Sequence, residues 1–256
     1  MTEKIKEAKE KHGKKEIVVP GEIIAEGDDY LPGDWTVKEG KNIVAIRLGI
    51  MDKQDRLVKI IPLSGVYIPR RGNTVIGEIK DMNYSGWMVD IGGPYGAFLT
   101  LKEVPGFVEE SEMESVYGIG DLIVVKVFNV KRTAVDLSMK SRDGGLGKIR
   151  DGLIVRVNPH RVPRIIGKEG SMISIIKNAT GCSITVGQNG LIWIRGDNVD
   201  ARLFAKQAIG FIVENTTSDG LTEKVEEWLV ENKPKNLVVK ASKMEVQETE
   251  MSGEMN

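Results

Sequence analysis

The most constraining feature of this sequence is a turn enclosed by two glycines that leads directly into an isoleucine-rich helix. Residues 165–176 read IIGKEGSMISII, so Gly167 and Gly170 enclose Lys168 and Glu169, and isoleucines recur at helical spacing afterwards. A turn alone needs only one glycine. The second glycine removes another Cβ atom that would hold a ligand away from the backbone. The stretch therefore predicts a loop that a ligand can approach closely.

This loop lies between a strand and a helix in a small α/β unit. The preceding LIVRV is typical of a strand, residues 171–178 of a helix, and CSITV and LIWIRG of strands joined by GQNG. Residues 199–214 have the apolar spacing of a long amphipathic helix, and LTEKVEEWLVEN that of a shorter one. The helix after Gly170 would offer free N–H groups and its positive dipole end to a phosphate. Lys168 adds a cation at the tip of the loop.

Five strand-like runs precede this unit, and they follow a junction at RRGN. A longer, partly acidic connection separates the third run from the fourth, which fits a small Greek-key barrel of the OB type. A glycine-rich linker, RDGGLGKIRDG, closes the barrel segment. The five runs cover residues 74–80, 86–91, 96–101, 122–130 and 134–139.

The first 70 residues contain short β segments separated by glycine and proline turns, which predicts a small β domain after a charged lead. A chain of 256 residues exceeds the usual length of one domain. The expected fold is multidomain, β-rich and then α+β. Its predicted parts are an N-terminal β domain (1–70), an OB-type barrel (71–142), an α/β domain (151–215), and a C-terminal helix with a disordered acidic tail (216–256).

The formal net charge of −1 conceals an uneven distribution of charge along the chain. Residues 131–170 contain ten Lys or Arg against four acidic residues, a local net charge of +6, whereas residues 241–256 have a net charge of −3. A basic segment of this kind indicates either a nucleic-acid partner or a solvated surface. Charge alone leaves both interpretations open.

Cysteine and histidine are too rare for a disulfide framework or a zinc site, since the chain has only Cys182, His12 and His160. We therefore expect neither a metal nor another cofactor, and we interpret Cys182 as a small buried apolar residue. No stretch resembles a secretory signal or a membrane span, so the sequence predicts a soluble, cytoplasmic protein without a membrane partner.

Intrinsic nuclease activity is a possible alternative because metal-dependent nucleases need clustered carboxylates. The acidic pairs at 28–29 and 109–110 lie in loop-like segments without an accompanying His, Lys or third carboxylate. Solvated acidic loops account for them better than a catalytic site does. The sequence thus predicts a chain that is not itself an enzyme.

Residues 151–215 resemble the KH domain, because the run I-I-G-x-x-G-x-x-I-x-x-I is followed by two strands and a helix. The resemblance implies that the loop clamps the backbone of about four nucleotides of single-stranded RNA. Glu169 departs from an ideal phosphate site, since its charge offsets that of Lys168. A KH scaffold used only for packing is the alternative. The implied clamp is Gly167, Lys168, Glu169 and Gly170, flanked by Arg161 and Arg164.

Residues 71–142 resemble the S1 domain, a member of the OB-fold group, over GEIKDMNYSGWMVDIGGPYGAFLTL and GDLIVVKVFNVKRTAVDLSMKSR. In S1 domains, aromatic residues on the second and third strands stack on bases, and basic residues near the last strands meet phosphates. Strand alternation sends about half of such aromatics into the core. The implied RNA-binding candidates are Tyr84, Trp87, Tyr95, Phe98, Lys131 and Arg132.

The order of the three domains makes the whole chain similar to the RNA-binding cap subunits of the archaeal exosome. The likeness extends from VVPGEIIAEGDDYLPGDWTVKEG through SGVYIPRRGNTVIGEI and WMVDIGGPYGAFL to the GKEG loop. The resemblance implies a noncatalytic role in which three cap subunits sit on a hexameric ring of RNase PH-like subunits. The cap would feed single-stranded RNA 3′ ends into the ring for phosphorolytic degradation. Whether a second type of cap subunit shares the ring stays open.

The resemblance also implies that the N-terminal domain docks on the ring, through a region that includes residues 18–21 and the LPGDW loop. Completion of a local β core is the alternative role for these residues. A transcription or translation factor that binds single-stranded RNA is the alternative function, because such factors also place an S1 domain before KH domains. Those factors carry a second KH domain, whereas only one helix and a tail follow residue 215 here.

Overall fold

The computed structural model describes residues 16–141, 144–216 and 220–234, which divide after Gly65 into two compact units. Residues 1–15 and 235–256, which contain nearly all of the predicted charged lead and of the predicted disordered tail, lie outside the described residues. The multidomain fold expected from the sequence is confirmed: a β domain is followed by a closed five-stranded barrel and a KH-type α/β domain.

The first unit consists of short strands arranged in two sheets. One sheet has the order β1-β6-β7-β3 and the other β2-β5-β4. Apolar residues at alternate positions meet between them, with Val18, Ala45 and Ile60 buried and Trp35 packed against them. The strands are β1 Ile17–Val18, β2 Ile23–Glu26, β3 Leu31–Pro32, β4 Thr36–Glu39, β5 Asn42–Ala45, β6 Gly49–Gln54 and β7 Leu57–Pro62.

The second unit begins with the barrel, whose strands start at the five predicted positions. Four antiparallel pairings join the five strands, and a parallel pairing of the third strand with the fifth closes the barrel. At Gly86 a Cβ atom would overlap the carbonyl oxygen of Leu99, so only glycine permits this close approach of two strands. The strands are β8 Thr74–Asn83, β9 Gly86–Asp90, β10 Gly96–Thr100, β11 Leu122–Val130 and β12 Ala134–Ser138.

The acidic connection between β10 and β11 contains helical turns that the sequence did not predict. Two 3₁₀ turns, Leu101–Glu103 and Glu110–Glu112, lead into a one-turn helix, α1 (Met113–Val116). Met113 and the following Tyr117 are buried in the barrel core. The connection therefore covers one end of the barrel with its own apolar side chains.

The α/β domain has a three-stranded antiparallel sheet in the order β14-β16-β15, with its helices packed on one face. The linker forms the short strand β13 (Gly147–Lys148), which pairs with β11. The other strands are β14 Leu153–Arg156, β15 Ser183–Val186 and β16 Leu191–Arg195, and the helices are α2 Val162–Ile166, α3 Ser171–Thr180, α4 Val199–Glu214 and α5 Leu221–Glu231.

Helix α5 completes the core of the α/β domain, although the sequence placed it in a separate C-terminal segment. Its buried residues Leu221, Val225 and Leu229 belong to the same apolar cluster as α3 and α4. The Trp228 ring stacks on Phe211, with 5.3 Å between ring centroids, and on Phe204, with 5.7 Å. Aromatic stacking of this kind adds roughly 1 kcal/mol per pair to the gain from burial.

The GQNG turn between β15 and β16 holds the α/β domain against the barrel. Asn189 accepts a hydrogen bond from the Ile76 N–H and donates to the carbonyl oxygens of Ile76 (2.7 Å) and Ile91 (3.0 Å). Gln188 and Thr74 exchange two further hydrogen bonds, one through the Gln188 side chain. The turn thus satisfies backbone groups of the barrel that would otherwise be buried without partners.

Among the described residues, no helix has the length and apolar character needed to cross a membrane.

Candidate nucleic-acid interface

The GKEG loop adopts the backbone conformation that its two glycines permit. Gly167 and Gly170 have φ values of 75° and 82°, and Glu169 between them is left-handed at 55°. A Cβ atom on Gly167 would lie 2.7 Å from the backbone nitrogen of Met172, whereas one on Gly170 would meet only Ile173, at 3.9 Å. Gly167 therefore lets the loop fold onto α3, and Gly170 leaves its outer side open.

The start of α3 is electrostatically suited to an anion. Gly170 is its N-cap residue and provides no side-chain hydrogen bond to the first turn. The N–H of Ser171 donates to the Lys168 carbonyl oxygen, and the N–H groups that follow it in the first turn receive no side-chain cap. The helix dipole favours a negative charge there. Lys168 and Glu169 are exposed, and neither makes a side-chain hydrogen bond or ion pair within the described ranges.

The two flanking arginines lie on the chain segment that enters the loop. Arg161 ends a 3₁₀ turn and is half-buried, while Arg164 is exposed on α2, three residues before Gly167. Helix α2 itself was not predicted, because five residues are too few to show helical periodicity. Its Ile165 is fully buried, together with Ile176 of α3, so these isoleucines hold the loop against the domain core.

Three of the four candidate aromatics of the barrel reach its surface. Tyr84, in the turn between β8 and β9, is 77% exposed, and Tyr95, just before β10, is 41% exposed. Phe98 is half-buried on β10, directly opposite the exposed Met88 of β9. These positions make aromatic rings accessible for stacking with the bases of single-stranded RNA.

Trp87 must be removed from the predicted RNA-binding residues because its side chain is completely buried. It pairs with Leu99 across β9 and β10, and both side chains point into the barrel. Its indole N–H donates to the carbonyl oxygen of Tyr117 (2.8 Å), and its ring meets the Tyr117 ring edge-on at 5.4 Å. Strand alternation thus makes Trp87 a core residue.

The two predicted cations of the barrel, Lys131 and Arg132, differ in how available they are for a phosphate contact. The Lys131 ammonium is paired with the Asp136 carboxylate at 2.9 Å, so much of its charge is already balanced. Arg132, beside it in the turn between β11 and β12, is exposed and makes no side-chain contact of this kind with any described residue. Arg132 is the better candidate for a phosphate contact.

Phe128 is an exposed aromatic of the barrel that the sequence interpretation missed. Phe128 of β11 is 53% exposed, and the Arg71 guanidinium lies 5.9 Å from the centre of its ring. The buried Ile123, Val125 and Val127 could have revealed it, because alternation after Val127 sends the next side chain outward. Phe128 and Arg71 offer a stacking surface with an adjacent cation.

The described residues contain no group of three or more His, Cys, Asp or Glu arranged to hold a metal ion. Burial raises the pKa of the lone thiol, Cys182, which packs in the core of the α/β domain. Its side chain lies among apolar residues, as its sequence context predicted.

Two families match parts of the chain. A family described as the exosome RNA binding protein RRP4 N-terminal domain matches residues 15–64, and the KH domain family matches residues 152–200. The second match contains the GKEG loop and the GQNG turn.

Curated relatives cover most of the chain. "Exosome complex component Rrp4" of Methanothermobacter thermautotrophicus is 42% identical, over 84% of this chain and 68% of that protein. The proteins of the same name from Thermococcus kodakarensis and Pyrococcus abyssi are 38% and 37% identical and are covered over 85% and 90% of their lengths. A crystal structure of an exosome complex RNA-binding protein has a TM-score of 0.58 and 33% identity, covering 65% of this chain and 97% of that one.

Proposed function

Because this chain belongs to the Rrp4 family of exosome components, we propose that it is the noncatalytic RNA-binding cap subunit of an exosome. In this proposal it docks on a ring of RNase PH-like subunits in the cytoplasm. It delivers single-stranded RNA 3′ ends to the ring for 3′-to-5′ phosphorolysis. The observation that carries the proposal is the GKEG loop at the N-terminus of α3, in a chain whose first unit matches the RRP4 N-terminal domain family.

The two RNA-contacting surfaces are suited to RNA of any sequence. The loop offers backbone N–H groups and Lys168 to phosphates, while the barrel offers exposed aromatic rings to bases. Neither kind of contact depends on base identity. Stacking contributes roughly 1 to 3 kcal/mol per base in such proteins. Opposite charges at Lys168 and Glu169 limit the affinity of the loop for phosphate. Several contacts of moderate strength therefore contribute to RNA binding together.

The first unit has the exposed apolar side chains that a docking domain needs. Six apolar side chains are more than half exposed within its 50 described residues, whereas the 164 described residues of the second unit have seven. Such a density of exposed apolar area marks an interaction surface. We assign ring docking to this unit. The six are Ile17, Val19, Ile23, Leu31, Ile46 and Ile61.

Three caps around one ring would strengthen weak binding by multivalency. An RNA strand released by one cap stays at high effective concentration near the other two, which raises avidity by roughly 10² to 10⁴. The caps would chiefly lower the apparent KM of the ring for RNA. Substrates that the bare ring holds poorly would gain most.

The packing of α5 supports this proposal over the alternative of a transcription or translation factor. Such a factor would begin a second KH domain after residue 215. Here Leu221, Val225 and Leu229 of α5 are buried in the core of the KH domain already formed. The helix is thus part of that domain.

Native mass spectrometry of the assembly that the tagged chain retrieves from its own cell extract tests the proposal. We expect six RNase PH-like chains for every three copies of this chain, because closed symmetric rings impose a fixed stoichiometry. Purified alone, the chain should leave labelled RNA intact in phosphate and Mg²⁺. Absence of ring subunits, or release of nucleotides by the chain alone, would refute it.

A pair of substitutions tests the docking unit separately. Val19→Asp with Ile23→Asp should abolish retrieval of the ring while leaving RNA affinity unchanged, because both apolar side chains are more than half exposed. Val199→Asp with Val230→Asp, at residues of the second unit that are 56% and 80% exposed, is the matched control and should retrieve the ring normally. Equal retrieval by all variants would move the docking surface elsewhere.

A further inference from the structure

A cleft of about 650 Å³ lies between the barrel and the α/β domain, inside the second unit. The end of α1 forms one wall, the linker residues Lys148, Arg150 and Asp151 form another, and Trp193 and Arg195 of β16 form the third. Its volume is in the range of small-ligand sites. It contains none of the residues of the GKEG loop and none of the exposed barrel aromatics described above.

The indole of Trp193 is held firmly in the wall of this cleft. Alternation along β16 buries Ile192 and Ile194 under the helices and turns Trp193 to the opposite face of the sheet, where it is half-exposed. The indole N–H donates to the carbonyl oxygen of Asp151 at 2.6 Å. Its orientation is therefore set before any ligand arrives.

Gly152 is what allows the linker to reach the indole. Its φ is 127°, and a Cβ atom there would lie 2.6 Å from the Trp193 indole nitrogen. A larger residue would push the linker away and break the hydrogen bond to Asp151. The linker and the β16 strand thus form one built surface.

The cleft carries more positive than negative charge. Lys148 is paired with Asp121, but Arg150 is exposed and has no side-chain hydrogen bond or ion pair to any described residue. The Arg195 guanidinium lies 6.0 Å from the centre of the Trp193 ring and is also exposed. Two guanidinium groups that make no hydrogen bond or ion pair with the described residues therefore line the cleft together with Trp193, and Asp151 is the one carboxylate among the lining residues.

We propose that this cleft binds one nucleotide of a single-stranded RNA, with its base against Trp193 and its phosphate between Arg150 and Arg195. Aromatic stacking beside guanidinium groups is the chemistry that recognises a nucleotide without selecting its base. The identity of the ligand rests on the proposed RNA function. The cleft, between the barrel and the α/β domain, would then be a third contact for the RNA, besides the GKEG loop and the exposed barrel aromatics. A free nucleoside phosphate has the same chemistry and is distinguished by experiment.

Fluorescence anisotropy with a labelled single-stranded RNA of about 15 nucleotides, titrated with the full chain, tests this assignment. Replacing both arginines (Arg150→Ala with Arg195→Ala) should weaken binding roughly five- to tenfold. The slope of log Kd against log salt should become shallower by about 1, because fewer counterions are released. Arg56→Ala with Lys206→Ala removes the same charge at exposed residues elsewhere and should change affinity less than about twofold.

Substitutions of Trp193 separate stacking from a merely structural role. Trp193→Phe keeps an aromatic face but loses the hydrogen bond to Asp151, whereas Trp193→Leu loses both. Stacking predicts that the Phe variant binds RNA nearly as well as the wild type and that the Leu variant binds roughly fivefold more weakly. A purely structural tryptophan would make both variants equally defective in urea unfolding and in RNA binding.

The outcomes separate this inference from the proposed function. Normal RNA binding by the wild type, together with arginine and tryptophan variants equal to the control, overturns only the cleft assignment. No RNA binding by the wild type overturns both. Adenosine and uridine monophosphates, titrated against the wild type and Trp193→Phe by tryptophan fluorescence, test the other ligand. Tight mononucleotide binding that RNA does not displace would show that the ligand of the cleft is a free nucleotide and not RNA.

Discussion

Two turns of the same pattern, G-x-x-G, have opposite surroundings in the α/β domain. The GKEG turn at residues 167–170 is open, with both central side chains exposed and the start of α3 uncapped. The GQNG turn at residues 187–190 is closed, since its central side chains bond to the backbone of the barrel. A G-x-x-G pattern therefore indicates that another group can approach the backbone closely. The contacts of the two intervening side chains show whether that group is a neighbouring domain or a ligand.

The largest difference between the turns should appear when a methyl group is added to each. Gly190→Ala should lower the free energy of unfolding by about 3 to 4 kcal/mol, because its Cβ would overlap the Val157 carbonyl oxygen at a φ of 87°. Gly170→Ala should cost only about 1 kcal/mol, for the left-handed backbone alone. Urea unfolding monitored by circular dichroism measures both. Equal losses would show that the two turns are equally enclosed.

Removing the Asn189 side chain, which joins the α/β domain to the barrel, should have the next largest effect on stability. Asn189→Ala leaves buried backbone groups of Ile76 and Ile91 without partners and should cost about 2 to 3 kcal/mol in the same unfolding assay. Asn178→Ala, at an exposed position of α3, is the matched control and should be neutral or slightly stabilising. A loss at Asn189 no greater than at Asn178 would mean that the GQNG turn does not anchor the domains.

The smallest effect concerns the linker, which adds a second attachment to the barrel. Lys148 of β13 donates to the Asp121 carboxylate, and this hydrogen bond lowers the pKa of Asp121 below its ordinary value of 3.8. The stabilisation is therefore present above pH 3.8 and is lost as the pH falls through the lowered pKa. Urea unfolding between about pH 2 and about pH 6 should detect a loss of unfolding free energy of less than about 1 kcal/mol at the acidic end. Asp121→Asn should remove this part of the pH dependence, and an unchanged profile would contradict the pairing.

Much of the fold could be predicted because long elements have a strong period. The bounds of β11 (Leu122–Val130) and α4 (Val199–Glu214) follow from alternation and from helical spacing over nine and sixteen residues. Helix α2, with five residues, shows no period of its own. The docking of Asn189 on Ile76 joins residues 113 apart in sequence, so no local pattern signals it.

The candidate site was predictable in part for the same reason. The GKEG loop is a local pattern, and its left-handed backbone follows from its glycines. Which barrel aromatics face outward depends on strand register, and one register step decides that Trp87 is buried and its neighbour Met88 is exposed. The cleft beside Trp193 needs three distant segments to meet, which the sequence order does not indicate.

The central claim is that the open turn, with Lys168 and Glu169 at its centre, binds RNA. Filter binding of single-stranded RNA to Lys168→Asp with Glu169→Asp tests it most directly, with Lys206→Asp as a control of equal charge change on α4. We predict at least a roughly tenfold loss of affinity for the loop variant, a change within about twofold for the control, and unchanged unfolding free energy for both. Equal affinity of the loop variant and the control would contradict it.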